Sequence, residues 1–218
     1  MSVNVTARQE RLATLVKSAT VIPVLTIERL EHAVPLARAL VAGGVRVLEV
    51  TLRTPVAIEA ARAMIAEVPD AIVGIGTILN GDDLKRAEAL GAKFGISPGA
   101  TPELLKAAAA SDLPFAPGIA TASELMQALA HGFDLVKFFP AEPSGGIKAL
   151  RALAGPFPNV LICPTGGIGD ANAAAWLAEP NVVAVGGSWL CPAADIRTSN
   201  WAGITAMCAR AMKSLKPA

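Results

Sequence analysis

The chain has 218 residues, of which 53% are hydrophobic and 17% charged, with a formal net charge of +1. So even a balance, without a run of Lys or Arg, argues against nucleic acid or an acidic membrane as the main partner. No apolar stretch reaches the ~20 residues of a membrane span, so the apolar content points to many buried strands, with room for an oligomer interface.

The first segment, MSVNVTARQERLATLVKSAT, alternates polar and apolar residues at helical spacing and predicts a helix over about 5–18. It lacks the apolar core of a signal peptide. The three cysteines, Cys163, Cys191 and Cys208, have no metal-type spacing, and an odd count suits no simple disulfide framework. A reducing cytoplasm is the expected compartment.

From residue 21 onward one pattern recurs: a short β-rich run ends in Gly, Pro, Thr or Ser, and an Ala/Leu-rich stretch follows. Strands are expected at VIPVLT (21–26), VRVLEVT (45–51), AIVGIGT (71–77) and AKFGIS (92–97). Four more are expected at LPFAPG (113–118), DLVKFF (134–139), NVLICP (159–164) and NVVAVGG (181–187). Between them, residues 27–44 predict a helix with Leu30, Val34, Ala37, Leu40 and Val41 on one side and two glycines as its stop. Residues 54–69 open on Thr-Pro and end before Pro69. Residues 121–132 carry Glu124 three positions after Thr121, a capping box, and close on Gly132. The last helix is expected over 199–216. Eight strands alternating with helices imply parallel pairing and right-handed crossovers. The expectation is one domain over 1–218, a single (β/α)8 TIM barrel at about 21–216 with an extra N-terminal helix. An open doubly wound sheet is the rival, but no G-x-G-x-x-G follows the first strand.

In a barrel, chemistry gathers at the C-terminal ends of the strands. Arg46 and Lys93 fall at the starts of their strands, where a long side chain reaches solvent. Glu49 and Lys137 fall late, near Thr51 and Pro140. A buried Glu–Lys pair contributes little net stability, so a purely structural role explains it poorly. A free lysine titrates near ~10.4, and burial among apolar residues disfavours the ammonium form. The neutral amine attacks carbonyl carbon to form an imine, an electron sink, and a carboxylate beside it shuttles protons. The pair therefore points to carbonyl chemistry. No His/Asp/Glu cluster demands a metal, and the expectation is neither metal nor cofactor.

Arg53 follows Glu49 by four residues, about 13 Å in extended chain, so the two share a site only if the loop curls back over the mouth. There it would clamp a substrate carboxylate. The glycine-rich ends Pro164-Thr-Gly-Gly-Ile-Gly169 and Val185-Gly-Gly-Ser-Trp189 follow strands seven and eight, the usual phosphate cradle of this fold, and Ser188 adds a hydroxyl donor. Thr77 and Ser97-Pro98-Gly99 end strands three and four and could line the mouth. His32, His131 and the three tryptophans read as surface or packing residues. The residues alone thus specify an imine-forming lyase on a phosphorylated oxo-acid.

The motifs GGVRVLEVTLRT, IVGIGT, ISPG, VKFFPAE, CPTGG and VGGSWL, in this order, closely resemble the bacterial 2-keto-3-deoxy-6-phosphogluconate (KDPG) aldolase family. The resemblance covers about Val21 to Pro192. It implies a class I aldolase of the Entner–Doudoroff pathway, usually a homotrimer, often acting also on 4-hydroxy-2-oxoglutarate. It makes Lys137 the Schiff-base lysine, Glu49 the catalytic glutamate and Arg53 the carboxylate-binding arginine. Thr77, Pro98, Phe139 and Thr165 are expected against the substrate. Gly166, Gly167, Gly187 and Ser188 match the phosphate-binding positions. The implied reaction is reversible cleavage of KDPG to pyruvate and D-glyceraldehyde 3-phosphate. The galactonate epimer is the alternative substrate, because stereochemistry at C4 is not legible in the chain. A silent barrel that binds a phosphorylated metabolite is the rival from another class.

Overall fold

The alternation of β-branched runs with alanine-rich stretches is realised in a computed structural model that describes residues 3–215. Residues 1–2 and 216–218, including Lys216 at the end of the last expected helix, lie outside the described residues. In chain order the elements are α1 (Val3–Lys17), β1 (Val21–Leu25), a 3-10 turn (Leu30–His32), α2 (Ala33–Ala42) and β2 (Val47–Thr51). Then come α3 (Ala57–Glu67), β3 (Ile72–Gly76), α4 (Gly81–Ala89), β4 (Gly95–Ile96) and α5 (Pro102–Ala110). They are followed by β5 (Phe115–Ala116), β6 (Gly118–Ile119), α6 (Ala122–Ala130), β7 (Leu135–Phe138) and α7 (Gly146–Ala154). The chain finishes with β8 (Leu161–Pro164), α8 (Ala173–Leu177), β9 (Val185–Gly187), α9 (Ala193–Arg197) and α10 (Trp201–Leu215).

Each expected strand run holds a strand, in most cases a shorter one. The run at 113–118 is split into β5 and β6 by Pro117, which has no N–H to donate to a ladder. Its carbonyl still accepts from the Lys137 N–H at 2.9 Å. The helix expected over 27–44 begins with a 3-10 turn, and its α part starts only at Ala33. The buried stripe is therefore Ala33, Leu36, Ala37 and Leu40, while Leu30 stands 44% exposed. The tighter first turn rotates Leu30 off the stripe that a uniform helix would give it. The helix expected at 54–69 starts at Ala57, because the Thr54 hydroxyl is turned away to donate to the Ile27 carbonyl at 2.6 Å. The capping box of α6 forms between Thr121 and Glu124.

All strand pairs are parallel. One sheet has six strands in the order β5-β4-β3-β2-β1-β9, and the other has three, β6-β7-β8. Single bridges, Ile162 with Val182 and Thr165 with Gly186, join the β8 edge to the chain around β9. Strands of both sheets curl around one interior. Ile22, Val47, Ile96, Ala116, Leu135 and Cys163 meet there in one buried cluster, closed at one end by Leu12 and Val16 of α1. The opposite faces carry residues such as Leu25, Leu48, Val136 and Ile162, which pack with the helices. Burial on both faces explains why the strands read as continuous apolar runs. Arg46 reaches solvent at the start of β2 and pairs with Asp70 at 3.0 Å, and Lys93 is exposed. Among the described residues no helix is long and apolar enough to cross a membrane.

Gln9 of α1 ties the two sheets together from below. Its Nε2 donates to the Phe115 carbonyl at 2.9 Å, and its Oε1 accepts from the Leu135 N–H at 3.0 Å, both buried. Gln9→Ala strands one donor and one acceptor, so the urea midpoint should fall by the equivalent of about 2–4 kcal/mol. A loss under about 0.5 kcal/mol would show that water replaces the side chain at no cost.

Candidate active site

Parity along the strands decides which side chains enter the interior. Leu135 of β7 and Val47 of β2 point inward, so Lys137 and Glu49, two residues on, do the same. Lys137 is 4% exposed and Glu49 2%. The Lys137 Nζ lies 3.0 Å from Glu49 Oε1 and 3.4 Å from Oε2. Its Nζ stands over the Phe139 ring, 5.4 Å from the centroid. Gly76 on the neighbouring strand makes room for the carboxylate, since a Cβ there would stand 2.1 Å from Glu49 Oε1. The next residue, Thr77, adopts φ 61°, a left-handed conformation that is strained for a β-branched side chain. Cys163 is in register with Lys137 on β8. Burial pushes the Cys163 thiol up to about 12, so it stays neutral beside the pair.

Above the pair, at the carboxyl ends of the strands, opens a cavity of about 380 Å³. Arg53, Phe139 and Thr165 line it, and so do Gly166, Gly167, Gly187 and Ser188. The two glycine loops thus face one space. Gly166 and Gly167 have φ of 103° and 79°, values that a side chain would strain. Arg53 reaches the wall because the chain after Glu49 does not run straight on. Thr51 and Thr54 hydroxyls donate to the Leu25 and Ile27 carbonyls, at 2.8 and 2.6 Å, and fold the loop over the end of β1. Lys137 and Glu49 lie beneath this wall, and Phe139 connects them to it. Thr77 and Pro98 sit at the ends of β3 and β4, half-buried, and do not line the cavity.

Several wall residues escaped the sequence reading. Thr26, at the end of β1, had the same strand-end position as Thr77 and was legible on that ground. His32, Ile196 and Arg197 had no such signal. His32 is 6% exposed and meets the Trp201 ring edge-on at 5.7 Å. Arg53 and Arg197 line the cavity with one carboxylate, Glu28, while Arg29 on the same wall is paired with Glu31, so the mouth keeps a small positive excess that favours anions.

The family model for KDPG and KHG aldolases matches residues 12–207. The KHG/KDPG aldolase of Escherichia coli (strain K12) is 52% identical over 202 residues, 93% of this chain and 95% of that protein. A crystal structure of the KDPG aldolase from Legionella pneumophila, with pyruvate captured at low pH as a covalent carbinolamine intermediate, superposes with a TM-score of 0.89. It is 48% identical and covers 91% of this chain and 97% of its own. The KDPG aldolase of Zymomonas mobilis ZM4, with 3-phosphoglycerate, gives 0.88 at 46% identity, covering 95% and 98%.

The three thiols supply a pH test. Burial holds Cys163 and Cys191 up at about 12 and Cys208 at about 11, against an ordinary value near ~8.5. A folded value above the unfolded one stabilises fully below the unfolded value and is lost as pH rises toward the folded one. A thiol reagent at pH 8 should therefore leave the native chain unmodified and label the unfolded one. The urea midpoint should fall from about pH 8.5 upward, less steeply in Cys163→Ala. Rapid labelling of the native chain at pH 8 would contradict the burial of these groups.

Proposed function

The chain belongs to the KDPG and KHG aldolase family, and on that premise we propose that it cleaves KDPG reversibly to pyruvate and D-glyceraldehyde 3-phosphate through an imine on Lys137. It also cleaves 4-hydroxy-2-oxoglutarate to pyruvate and glyoxylate. The observation that carries the reading is the buried contact of 3.0 Å between Lys137 and Glu49 beneath a cavity lined by two glycine loops.

The contact gives the amine a route to its reactive form. A proton passed from Nζ to the carboxylate leaves a neutral amine and a neutral acid, and removes two charges from a water-poor interior. The amine adds to the C2 carbonyl of the substrate, Glu49 returns its proton to the departing hydroxyl, and loss of water leaves the protonated imine and a free carboxylate. Arg53, on the wall, pairs with the C1 carboxylate and orients the carbonyl. Glu49, through a water, takes the proton of the C4 hydroxyl. The C3–C4 bond breaks, its electron pair flows into the protonated imine, and the aldehyde leaves. The enamine is protonated at C3 and hydrolysed, which returns Lys137 and releases pyruvate. Phe139 and Thr165, on the cavity wall, flank the reacting carbons, and Thr77 and Pro98 stand behind them at the ends of β3 and β4. Gly166, Gly167, Gly187 and Ser188 hold the phosphate with backbone N–H groups and a hydroxyl.

The same reading takes the two sheets as one closed (β/α)8 barrel, a single domain with α1 across its base. The bridge of Thr165 with Gly186 and the Ser97–Gly118 contact at 3.2 Å support closure at the two seams. Homotrimeric assembly and a cytoplasmic location complete the proposal.

Incubation with pyruvate and borohydride should leave one stable adduct on Lys137 and none in Lys137→Ala; an adduct elsewhere, or none in the wild type, sinks the mechanism. Arg53→Ala should lower kcat/KM for KDPG by about 10- to 100-fold through loss of a charge-assisted contact. An unchanged kcat/KM would remove Arg53 from the carboxylate site.

A further inference from the structure

The last residue of the VKFFPAE motif, Glu142, lies outside the cavity wall, and the mechanism does not use it. Its Oε1 accepts from Trp176 Nε1 at 2.7 Å and from Asn172 Nδ2 at 3.1 Å. Asn172 in turn holds the glycine loop, donating to the Gly167 carbonyl at 3.1 Å and accepting from the Gly169 N–H at 2.8 Å. Backbone bonds add to this. The Ala141 N–H donates to the Thr165 carbonyl at 2.8 Å and the Glu142 N–H to the Gly166 carbonyl at 3.0 Å. The loop rests directly on Glu142, since a Cβ on Gly167 would stand 2.6 Å from the Glu142 Cβ.

Three consecutive carbonyls, Thr165, Gly166 and Gly167, are thus held on the side of the 141–142 segment and Asn172. In a trans peptide the N–H points opposite to its carbonyl. The N–H groups of Gly166, Gly167 and Ile168 are therefore turned the other way, toward the cavity that these residues line, as an anion nest. We propose that Glu142 is a positioning residue of this cradle: through Asn172 and Trp176 it fixes the donor loop and so sets the preference for phosphorylated over unphosphorylated substrates. The inference rests on the aldolase reading for its substrate. The carboxylate bonds to Asn172 and Trp176 and lines no part of the cavity, so its loss should act on anion binding alone. A glutamine keeps the accepting oxygen and drops the negative charge.

The test compares Glu142→Ala, Glu142→Gln and the wild type as full chains. It reads kcat and KM for KDPG, the rate of pyruvate trapping by borohydride, and the Kd of inorganic phosphate by calorimetry. In Glu142→Ala the KM for KDPG and the phosphate Kd should each rise about tenfold, the worth of one hydrogen bond. Both kcat and pyruvate trapping, which has no distal anion, should stay within about threefold of the wild type. Glu142→Gln should restore KM and Kd. Parallel losses in trapping and KM, unchanged values in Glu142→Ala, or no rescue by glutamine would overturn the proposal. Should Glu142→Ala not fold, Asn172→Ala decides by the same split. A wild type that traps no pyruvate would sink the aldolase reading, while the phosphate Kd of the variants would still decide whether Glu142 holds the cradle.

Discussion

The Lys137 amine and the Glu49 carboxylate meet 3.0 Å apart with almost no access to water, and the rest of the molecule is arranged to make that tolerable. Removing one partner would leave a buried charge uncompensated, at about 3–5 kcal/mol. The two residues come from different sheets, since β2 lies in the six-stranded sheet and β7 in the three-stranded one. Their contact therefore depends on the two sheets keeping a fixed mutual placement. It also depends on an absence of bulk: only a glycine at position 76 leaves space for the carboxylate.

Stability and chemistry are placed at opposite ends of the strands, as parallel α/β sheets generally arrange them. At the amino ends, Leu12 and Val16 of α1 fill the interior and Gln9 spans β5 and β7. At the carboxyl ends, backbone carbonyls are used up in fastening loops to one another. The Leu25 and Ile27 carbonyls anchor the Arg53 loop through Thr51 and Thr54. Those of Thr165 to Gly167 anchor the glycine loop through residues 141–142 and Asn172. Fastened carbonyls leave N–H groups and guanidinium groups to face the cavity, which gives it an anionic preference without a dedicated lysine cluster.

Features with a local cause are legible in the sequence. The Thr121–Glu124 capping box, the strand cores and the late positions of Glu49 and Lys137 depend on spacing within a few residues. Features that depend on packing are less legible. Leu30 fits an apolar helical stripe, yet the first turn is a 3-10 turn and the side chain is exposed. Thr77 and Pro98 are matched by motif, but the cavity wall is made by residues from other loops. His32 and Arg197 join that wall from the helical regions after β1 and β9, whose chain separation gives no hint of proximity.

The order of strands and helices, the burial of a lysine and a glutamate at strand ends, and the two glycine-rich loops are legible in the amino-acid order, because period, composition and turn chemistry act over short stretches. The folded chain adds that the lysine and the glutamate share an interior, that Arg53 folds back onto the same cavity, and that Glu142 packs against the glycine loop. Each of these joins residues distant along the chain, as Lys137 and Glu49 are by 88 positions, and only strand register and loop fastening bring them together.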